Sequence, residues 1–151
     1  MKNNNEIKKL NNKGFSLVEL IIVIAIMAVL IGVLAPQYLK YVERSRRSAD
    51  LDNWSTIISA IEIYASDPAN TATVTGDGTV TFSGKGAAGS VTASSWVATA
   101  LTDANIDVTK ISMKSNVFGS SSVKAEATTN GVELTITGGT ATDSLKTALG
   151  R

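Results

Sequence analysis

An unbroken apolar run dominates the first quarter of the chain. Every residue from Leu20 to Ala35 is apolar or Gly, and extending the run back to Phe15 adds only Ser16 and Glu19 as polar positions. A helix over Phe15–Ala35 would be about 31 Å long, which matches the hydrocarbon thickness of a bilayer. Apolar residues on all sides of that helix demand apolar surroundings everywhere, from lipid or from other helices. The sequence therefore predicts a membrane-spanning or helix-packing segment.

Pro36 follows directly after this run. Proline lacks the amide hydrogen and clashes with the carbonyl one turn earlier, so the sequence predicts a kink or a locally melted turn over residues 32–36. The alternative is that Pro36 ends the helix.

Beyond Pro36 the apolar residues recur at steps of three or four, which indicates an amphipathic helix. They are Leu39, Val42, Leu51, Trp54, Ile58, Ile61 and Ala65. The charged residues between them predict a solvated face, and they are Lys40, Glu43, Arg44, Arg47, Asp50 and Glu62. The turn residues Ser66-Asp67-Pro68 predict that the helix ends near Ala65.

Short β-strands are predicted for the rest of the chain. Asp77-Gly78, flanked by β-branched residues over 71–83, predicts a tight hairpin with Val74, Val80 and Phe82 facing inward. The Gly/Ala-rich stretch 85–90 is predicted to be a connection only. A second hairpin is predicted around Asn130-Gly131, with inward positions Val132, Leu134 and Ile136, and Gly138-Gly139 ends it.

Two short helices complete the predicted head. Ser94 or Ser95 caps a helix reaching about Ala104, and its apolar stripe comprises Trp96, Val97, Ala100 and Leu101. Thr142 or Asp143 caps a last helix that contains Leu145, Ala148 and Leu149.

Charge is uneven along the 151 residues. Residues 1–14 hold four Lys against one Glu, whereas the remainder holds ten basic and twelve acidic side chains, a net of −2. A basic start before the apolar run predicts a cytoplasmic N-terminus, although the basic residues over 40–47 weaken that contrast.

The absence of Cys and His from the sequence removes disulfides, thiolate zinc sites and the usual general base. No local spacing pairs a nucleophile with a base, so we expect a protein that is not an enzyme and that needs no cofactor. Asp77, Asp103, Asp107 and Asp143 are too scattered to predict a metal site.

Glu19 is the one ionisable residue between Phe15 and Ala35. A carboxylate near the start of an apolar membrane helix costs several kcal/mol unless it is protonated or paired. We expect it to be neutralised by a positive partner. The alternative is a Glu tolerated near the membrane interface.

The segment Lys13-Gly14-Phe15-Ser16-Leu17-Val18-Glu19-Leu20 resembles the processing site of type IV prepilins. This resemblance implies cleavage between Gly14 and Phe15 and methylation of the new amine on Phe15. It also implies that this amine pairs with Glu19, within one chain or from an adjacent subunit, and sets the axial register. Loosening near Pro36 would accompany assembly.

The resemblance further implies an α+β fold in which a long N-terminal helix packs against a small antiparallel sheet. We expect a cleaved leader (1–14), an apolar transmembrane and polymerisation helix (15–36), an amphipathic second half (37–66) and a β-rich head (67–151). The implied function is a pilus subunit, held in the cell membrane as a single-pass protein and then assembled into an extracellular filament. The implied partners are copies of itself, a prepilin peptidase that also methylates, assembly platform proteins, the lipid bilayer, and unidentified host or surface ligands.

Several alternatives stay open at this point. The nearest is a pseudopilin of a type II secretion or DNA-uptake system, and a more remote one is a membrane-anchored enzyme or binding module. The exposed charges of the helix could pair between subunits, and Arg44, Arg46 and Arg47 could contact DNA or surfaces. Many pilins close a C-terminal loop with a disulfide, and here the second hairpin and the capped last segment are the predicted substitutes. Adhesion, twitching motility, biofilm formation, DNA uptake and secretion all use similar subunits.

Overall fold

The computed structural model describes residues 14–92 and 95–137 together with Lys146 and Leu149. Contacts within the chain divide it into two compact units, one up to Leu39 and one from Lys40 onward.

Helix α1 comprises Leu17–Ser66, a length of 50 residues. It includes Pro36, so the alternative in which Pro36 ends the helix is wrong. The helix is also continuous over residues 32–36, so the turn is not melted in this single chain. Proline at position 36 still removes one helical hydrogen bond, because the carbonyl of Gly32 has no amide to accept from four residues later.

The second half of α1 forms one wall of the core in the unit from Lys40. Its buried residues are Asp50, Trp54, Ile57, Ile58, Ala60, Ile61 and Tyr64. The helix ends at Ser66, one residue beyond the predicted end. A 3-10 turn, Pro68–Asn70, follows, and Asp67 accepts a hydrogen bond from the amide of Ala69 at 2.9 Å. This Asp-Pro cap confirms the turn chemistry expected there.

Four antiparallel strands form the sheet: β1 (Asp77–Ser83), β2 (Gly89–Val91), β3 (Ser120–Thr128) and β4 (Gly131–Thr137). Their spatial order is β2-β1-β3-β4. One face carries buried residues of β1 and β3 such as Val80, Phe82 and Val123, whereas the other face is polar. A long N-terminal helix with a small antiparallel sheet confirms the predicted α+β fold.

The predicted first hairpin is wrong. Asp77-Gly78 lies inside β1, residues 71–73 form a turn, and the partners of β1 are β2 and β3. Gly78 is required for packing instead, because a Cβ there would lie 2.6 Å from Cγ2 of Val97. Val80 and Phe82 are buried as predicted, and Val74 is partly buried against the core.

The stretch 85–90 is likewise not a connection only, since Gly89 and Ser90 belong to β2. A Cβ at Gly89 would lie 2.7 Å from the ring of Phe82, so this short edge strand depends on a glycine that lets an aromatic ring approach. Local sequence carries no sign of that distant ring.

The second hairpin is confirmed. Thr128 pairs with Gly131 at its closed end, where Gly131 has a φ of 121°, a conformation that L side chains rarely adopt. Ile136 is buried, and Val132 and Leu134 pack partly buried against the core.

Helix α2 comprises Trp96–Asp103. Its predicted apolar stripe is confirmed, since Trp96, Val97, Ala100 and Leu101 are all buried. Ser95 precedes the helix, yet its hydroxyl donates to the carbonyl of Thr92 at 2.8 Å and does not cap the helix. The alternative cap Ser94 lies outside the described residues, as do Gly138-Gly139 and most of the predicted last helix. Leu149 packs against the core.

Trp54 and Phe82 connect α1 to the sheet. Their rings meet edge to face with centroids 5.2 Å apart. The indole nitrogen of Trp54 donates to Ser121 Oγ at 3.2 Å, and that hydroxyl donates to the carbonyl of Phe118 at 2.8 Å. The buried polar group of the tryptophan is therefore satisfied by a residue at the start of β3.

Asp50 makes the second connection between α1 and the rest of its unit. It was expected on the solvated face, but it is fully buried. Its carboxylate accepts from the amides of Lys114 at 2.8 Å and Ser115 at 2.7 Å. Two helical turns earlier, Glu43 accepts from the amide of Asn116 at 2.7 Å. We call this set of hydrogen bonds the amide anchor, because it fastens residues 114–116 to the helix without a disulfide.

The segment held by the amide anchor folds back on itself. Ser115 is fully buried, and its hydroxyl accepts from the amide of Phe118 at 3.0 Å. Phe118 and Met113 are both buried on either side of it. Burial of two apolar residues here thus requires that the amides between them find acceptors, which Asp50 and Glu43 provide.

We predict that Asp50→Ala lowers the free energy of unfolding by about 3 kcal/mol, because the buried amides of Lys114 and Ser115 lose their acceptor. Urea denaturation of the full chain in detergent, followed by tryptophan fluorescence, measures this. Asp52→Ala is the matched control, since Asp52 is exposed and should change stability by no more than about 0.5 kcal/mol. Equal effects of the two substitutions would contradict the amide anchor.

The unit from Lys40 has its own core and sheet, so we predict that residues 37–151 form a soluble folded head. Far-ultraviolet circular dichroism should show mixed helix and strand, and thermal unfolding should be cooperative. A shortened head beginning after Tyr64 is the control and should not fold, because it lacks the wall formed by Trp54, Ile57 and Ile61. A gradual, non-cooperative melt of residues 37–151 would disprove the prediction.

Candidate processing and assembly segment

The predicted cleavage site lies in open chain before the helix. Gly14, Phe15 and Ser16 precede α1, and the Phe15 side chain is 91% exposed. A Cβ placed on Gly14 would meet no atom within 4 Å, and Gly14 has no positive φ. The described part of the chain therefore does not itself require glycine at position 14.

Glu19 lies in the first turn of α1 and has a local hydrogen-bond partner. Its carboxylate accepts from the backbone amide of Ser16 at 2.9 Å, and the carbonyl of Ser16 accepts from the amide of Leu20 at 3.2 Å. This is one arm of a capping box, in which an acid three residues into the helix satisfies the amide of the cap residue. The negative charge also lies at the positive end of the helix dipole.

The structure places Glu19 four residues from Phe15, as the sequence requires, but it joins Glu19 to the amide of Ser16. In the uncleaved chain the nitrogen of Phe15 belongs to a peptide bond and carries no positive charge. The proposed partner of Glu19 would exist only after cleavage. The capping hydrogen bond gives the carboxylate one acceptor role that does not depend on another subunit.

The apolar run presents its side chains outward on every side. From Leu17 to Leu34 its large apolar side chains are at least half exposed, and Gly32 is open. Among the described residues, α1 is the one helix long and apolar enough to cross a membrane, and its most apolar window has a mean hydropathy of 3.1 with no buried residue. Pro36 follows this run within the same helix.

The sequence did not indicate the amide anchor. Asp50 and Glu43 have the residue type of a solvated face, yet Asp50 lies one turn before Trp54 on the side of α1 that is buried. The helical spacing of Asp50, Trp54 and Ile57 was the available sign, because positions i, i+4 and i+7 share a face. A charged residue type predicts a solvated position for Asp50, whereas its spacing from Trp54 and Ile57 predicts the buried face, and the spacing is correct.

The head offers a cavity of about 420 Å³ beside α2, lined in part by Leu101, Thr102 and Val108. At its rim Lys110 lies 3.1 Å from Asp107. A hydrogen bond from the Thr109 hydroxyl, and next one from Lys110, lower the pKa of Asp107. The described residues contain no group of three or more His, Cys, Asp or Glu that could hold a metal ion.

Comparison with known proteins adds an independent finding for the N-terminus. The family model "Prokaryotic N-terminal methylation motif" matches residues 9–35, which include the predicted cleavage segment and the exposed apolar run. No solved structure matches the chain significantly.

Two curated proteins are similar to part of this chain. "Prepilin peptidase-dependent protein A" of Clostridium perfringens is 32% identical over 71 residues, which cover 47% of this chain and 51% of that protein. "Type IV major fimbrial protein FimA" of Dichelobacter nodosus is 40% identical over 55 residues, 36% of this chain and 35% of that protein. The matches thus span about half of one relative and about a third of the other.

The similarity to these relatives agrees with the fold. A methylation motif opens an exposed apolar helix, and the same helix continues into a unit with a small antiparallel sheet. Together, the motif, the similar proteins and the α+β architecture support a similarity of this chain to type IV pilins.

Proposed function

We propose that this protein is the structural subunit of a type IV pilus. It is inserted in the membrane through α1, cleaved between Gly14 and Phe15, methylated on Phe15 and polymerised through the apolar part of the helix. The supporting observation is an exposed apolar run over residues 15–35 whose single acid, Glu19, lies five residues from an open glycine. The names of the two relatives, one peptidase-dependent and one fimbrial, favour the same interpretation.

The physical basis of assembly is an exchange of apolar surroundings. Lipid covers the side chains of Leu17–Leu34 before assembly, and helices of other copies cover them afterward, so burial of apolar surface is retained throughout. Dispersion and shape then favour the helix bundle, whereas a misplaced Glu19 would leave a charge unpaired in apolar surroundings. The acid thereby selects the register.

Processing requires an enzyme that recognises the open segment before α1. Because nothing in the described chain needs Gly14, the peptidase is the proposed reason for glycine at this position. The partners are therefore a prepilin peptidase that also methylates, assembly platform proteins and further copies of the chain. The localisation is the cell membrane first and the extracellular pilus afterward.

A pilus is favoured over a secretion pseudopilus because one of the similar proteins is named a major fimbrial protein. The structural role is the proposal that the exposed helix supports best.

We predict that Gly14→Val accumulates uncleaved precursor, because a branched side chain would block an active site that accepts only glycine there. Mass spectrometry of the membrane fraction should find the N-terminus at Met1 in the variant and at methylated Phe15 in the unaltered chain. Gly84→Val is the control, since Gly84 is equally open and also has no positive φ. A mature filament protein that begins at any other residue would refute the assigned site.

We also predict that Glu19→Ala leaves a membrane pool but reduces filaments at least about tenfold, because the paired charge is lost. Glu19→Gln separates two roles, since its amide oxygen can still accept from Ser16. If the charge sets register, Gln fails like Ala. Electron microscopy and immunoblots in cells without unaltered subunits measure both. Normal filament numbers with Gln would limit Glu19 to capping the helix.

A further inference from the structure

Basic side chains gather at one end of β1. A concavity of about 250 Å³ is lined by Arg46, Lys85 and Lys114 together with Gly86 and Met113. Lys85 Nζ donates to the neutral amide oxygen of Asn116 at 3.1 Å. We call Arg46, Arg47, Lys85 and Lys114 the basic end of the head.

The acids beside the basic end are held by the backbone. Glu43 and Asp50 accept from the amides of residues 114–116, and Arg46 and Arg47 approach Glu43 only to 3.9 and 4.0 Å. Four basic side chains against these two carboxylates leave a net of +2. In the amide anchor the two carboxylates are hydrogen-bonded to backbone amides, whereas the side chains of Lys85 and Lys114 are exposed.

Acidic side chains line up at the other end of β1. Asp77 is directly opposite Glu126, and Glu126 is directly opposite Glu133, so three carboxylates form one row across β1, β3 and β4. All three residues are exposed, on the polar face of the sheet. We call this set the acidic row.

Among the described residues, Lys124 is the cation that pairs with the acidic row. Lys124 lies 3.1 Å from Asp77 and 3.3 Å from Glu126, and the hydrogen bond with Asp77, followed by that with Glu126, raises the pKa of Lys124. Glu133 has no ion-pair partner within the described part of the chain. Like charges directly opposite on a sheet destabilise it, and the row keeps a net of −2. It would be stabilised by further positive charge.

The two surfaces lie too far apart to meet in one copy. Asp77 begins β1, whereas Lys85 lies two residues beyond Ser83, its last residue. The six residue steps of extended strand from Asp77 to Ser83 span about 20 Å, which exceeds the Debye length of about 8 Å at physiological salt. The opposite charges can therefore pair only between two copies. A contact between two different surfaces forms a ring if the rotation between copies closes, and an open helical filament if it does not.

We propose that the acidic row of one copy contacts the basic end of the next copy along the filament. This contact rests on the proposed pilus function and adds a second determinant of register, in the head, to that of the apolar helix. Charge pairs of this exposed kind act mainly on the rate and specificity of association, and salt weakens them. The contact would favour one axial position of the neighbouring copy over other positions that packing of the apolar helices alone would allow.

Charge reversal in the full-length protein tests this contact in cells that lack the unaltered chain. Lys85→Glu with Lys114→Glu, and separately Glu126→Lys with Glu133→Lys, should each lower filament yield per membrane pool by roughly tenfold, because attraction becomes repulsion. Combining all four reversals should restore most of the yield, since the pairing is re-created with opposite signs. Lys110→Glu, which lies on neither surface, is the control and should leave the yield unchanged.

Rescue is the decisive result, because loss of folding in one variant would not be repaired by changes on a distant surface. If a reversed variant does not accumulate, the neutral pairs Lys85→Gln with Lys114→Gln and Glu126→Gln with Glu133→Gln replace it. Their effects should be less than additive when combined. Additive effects, absence of rescue, or yields equal to the control would overturn the contact while leaving the pilus function intact. Absence of filaments from the unaltered chain would overturn the pilus function itself.

Discussion

Apolar side chains along the first half of α1 require a covering that the described chain does not provide. Burial of such surface is the main favourable contribution to folding and association, and each large side chain left in water would forfeit roughly 1.5–3 kcal/mol. The run over Leu17–Leu34 is exposed on all sides. Lipid and like helices are the two surroundings that satisfy this requirement, and an acid at its start makes position along the helix matter.

The second half of the same helix differs from the first, because one of its faces is buried against other residues of the same chain. Trp54 and the isoleucines beside it pack against the sheet, and Asp50 accepts from amides of a segment more than 60 residues later. A buried carboxylate is costly unless hydrogen-bonded, and here the backbone provides those donors. This arrangement fastens the segment before β3 in a protein without cysteine. The predicted substitutes for a C-terminal disulfide are the second hairpin and the capped last segment, and most of the latter lies outside the described residues.

The hydrogen bonds of Asp50 and Glu43 and the register of the strands determine which charges of the head face outward. Asp50 and Glu43 accept hydrogen bonds from backbone amides of residues 114–116 and do not pair with the nearby lysines. The side chains of Lys85 and Lys114 are therefore exposed beside them. At the far end of β1 the strand pairing aligns three carboxylates in a row. Neither arrangement is visible in the near-neutral total charge, because burial and strand register determine which charges face outward.

Local sequence was sufficient to predict the long helix, the methylation motif, the Asn130-Gly131 hairpin and the stripe of α2, because each depends on local periodicity or on contiguous residues. It wrongly made Asp77-Gly78 a turn and Asp50 a solvated charge. Those two positions depend on tertiary contacts. Gly78 is needed because Val97 packs against it, and Asp50 is buried because the amides of Lys114 and Ser115 lie opposite its carboxylate. Such partners are distant in sequence, and local propensity contains no information about them.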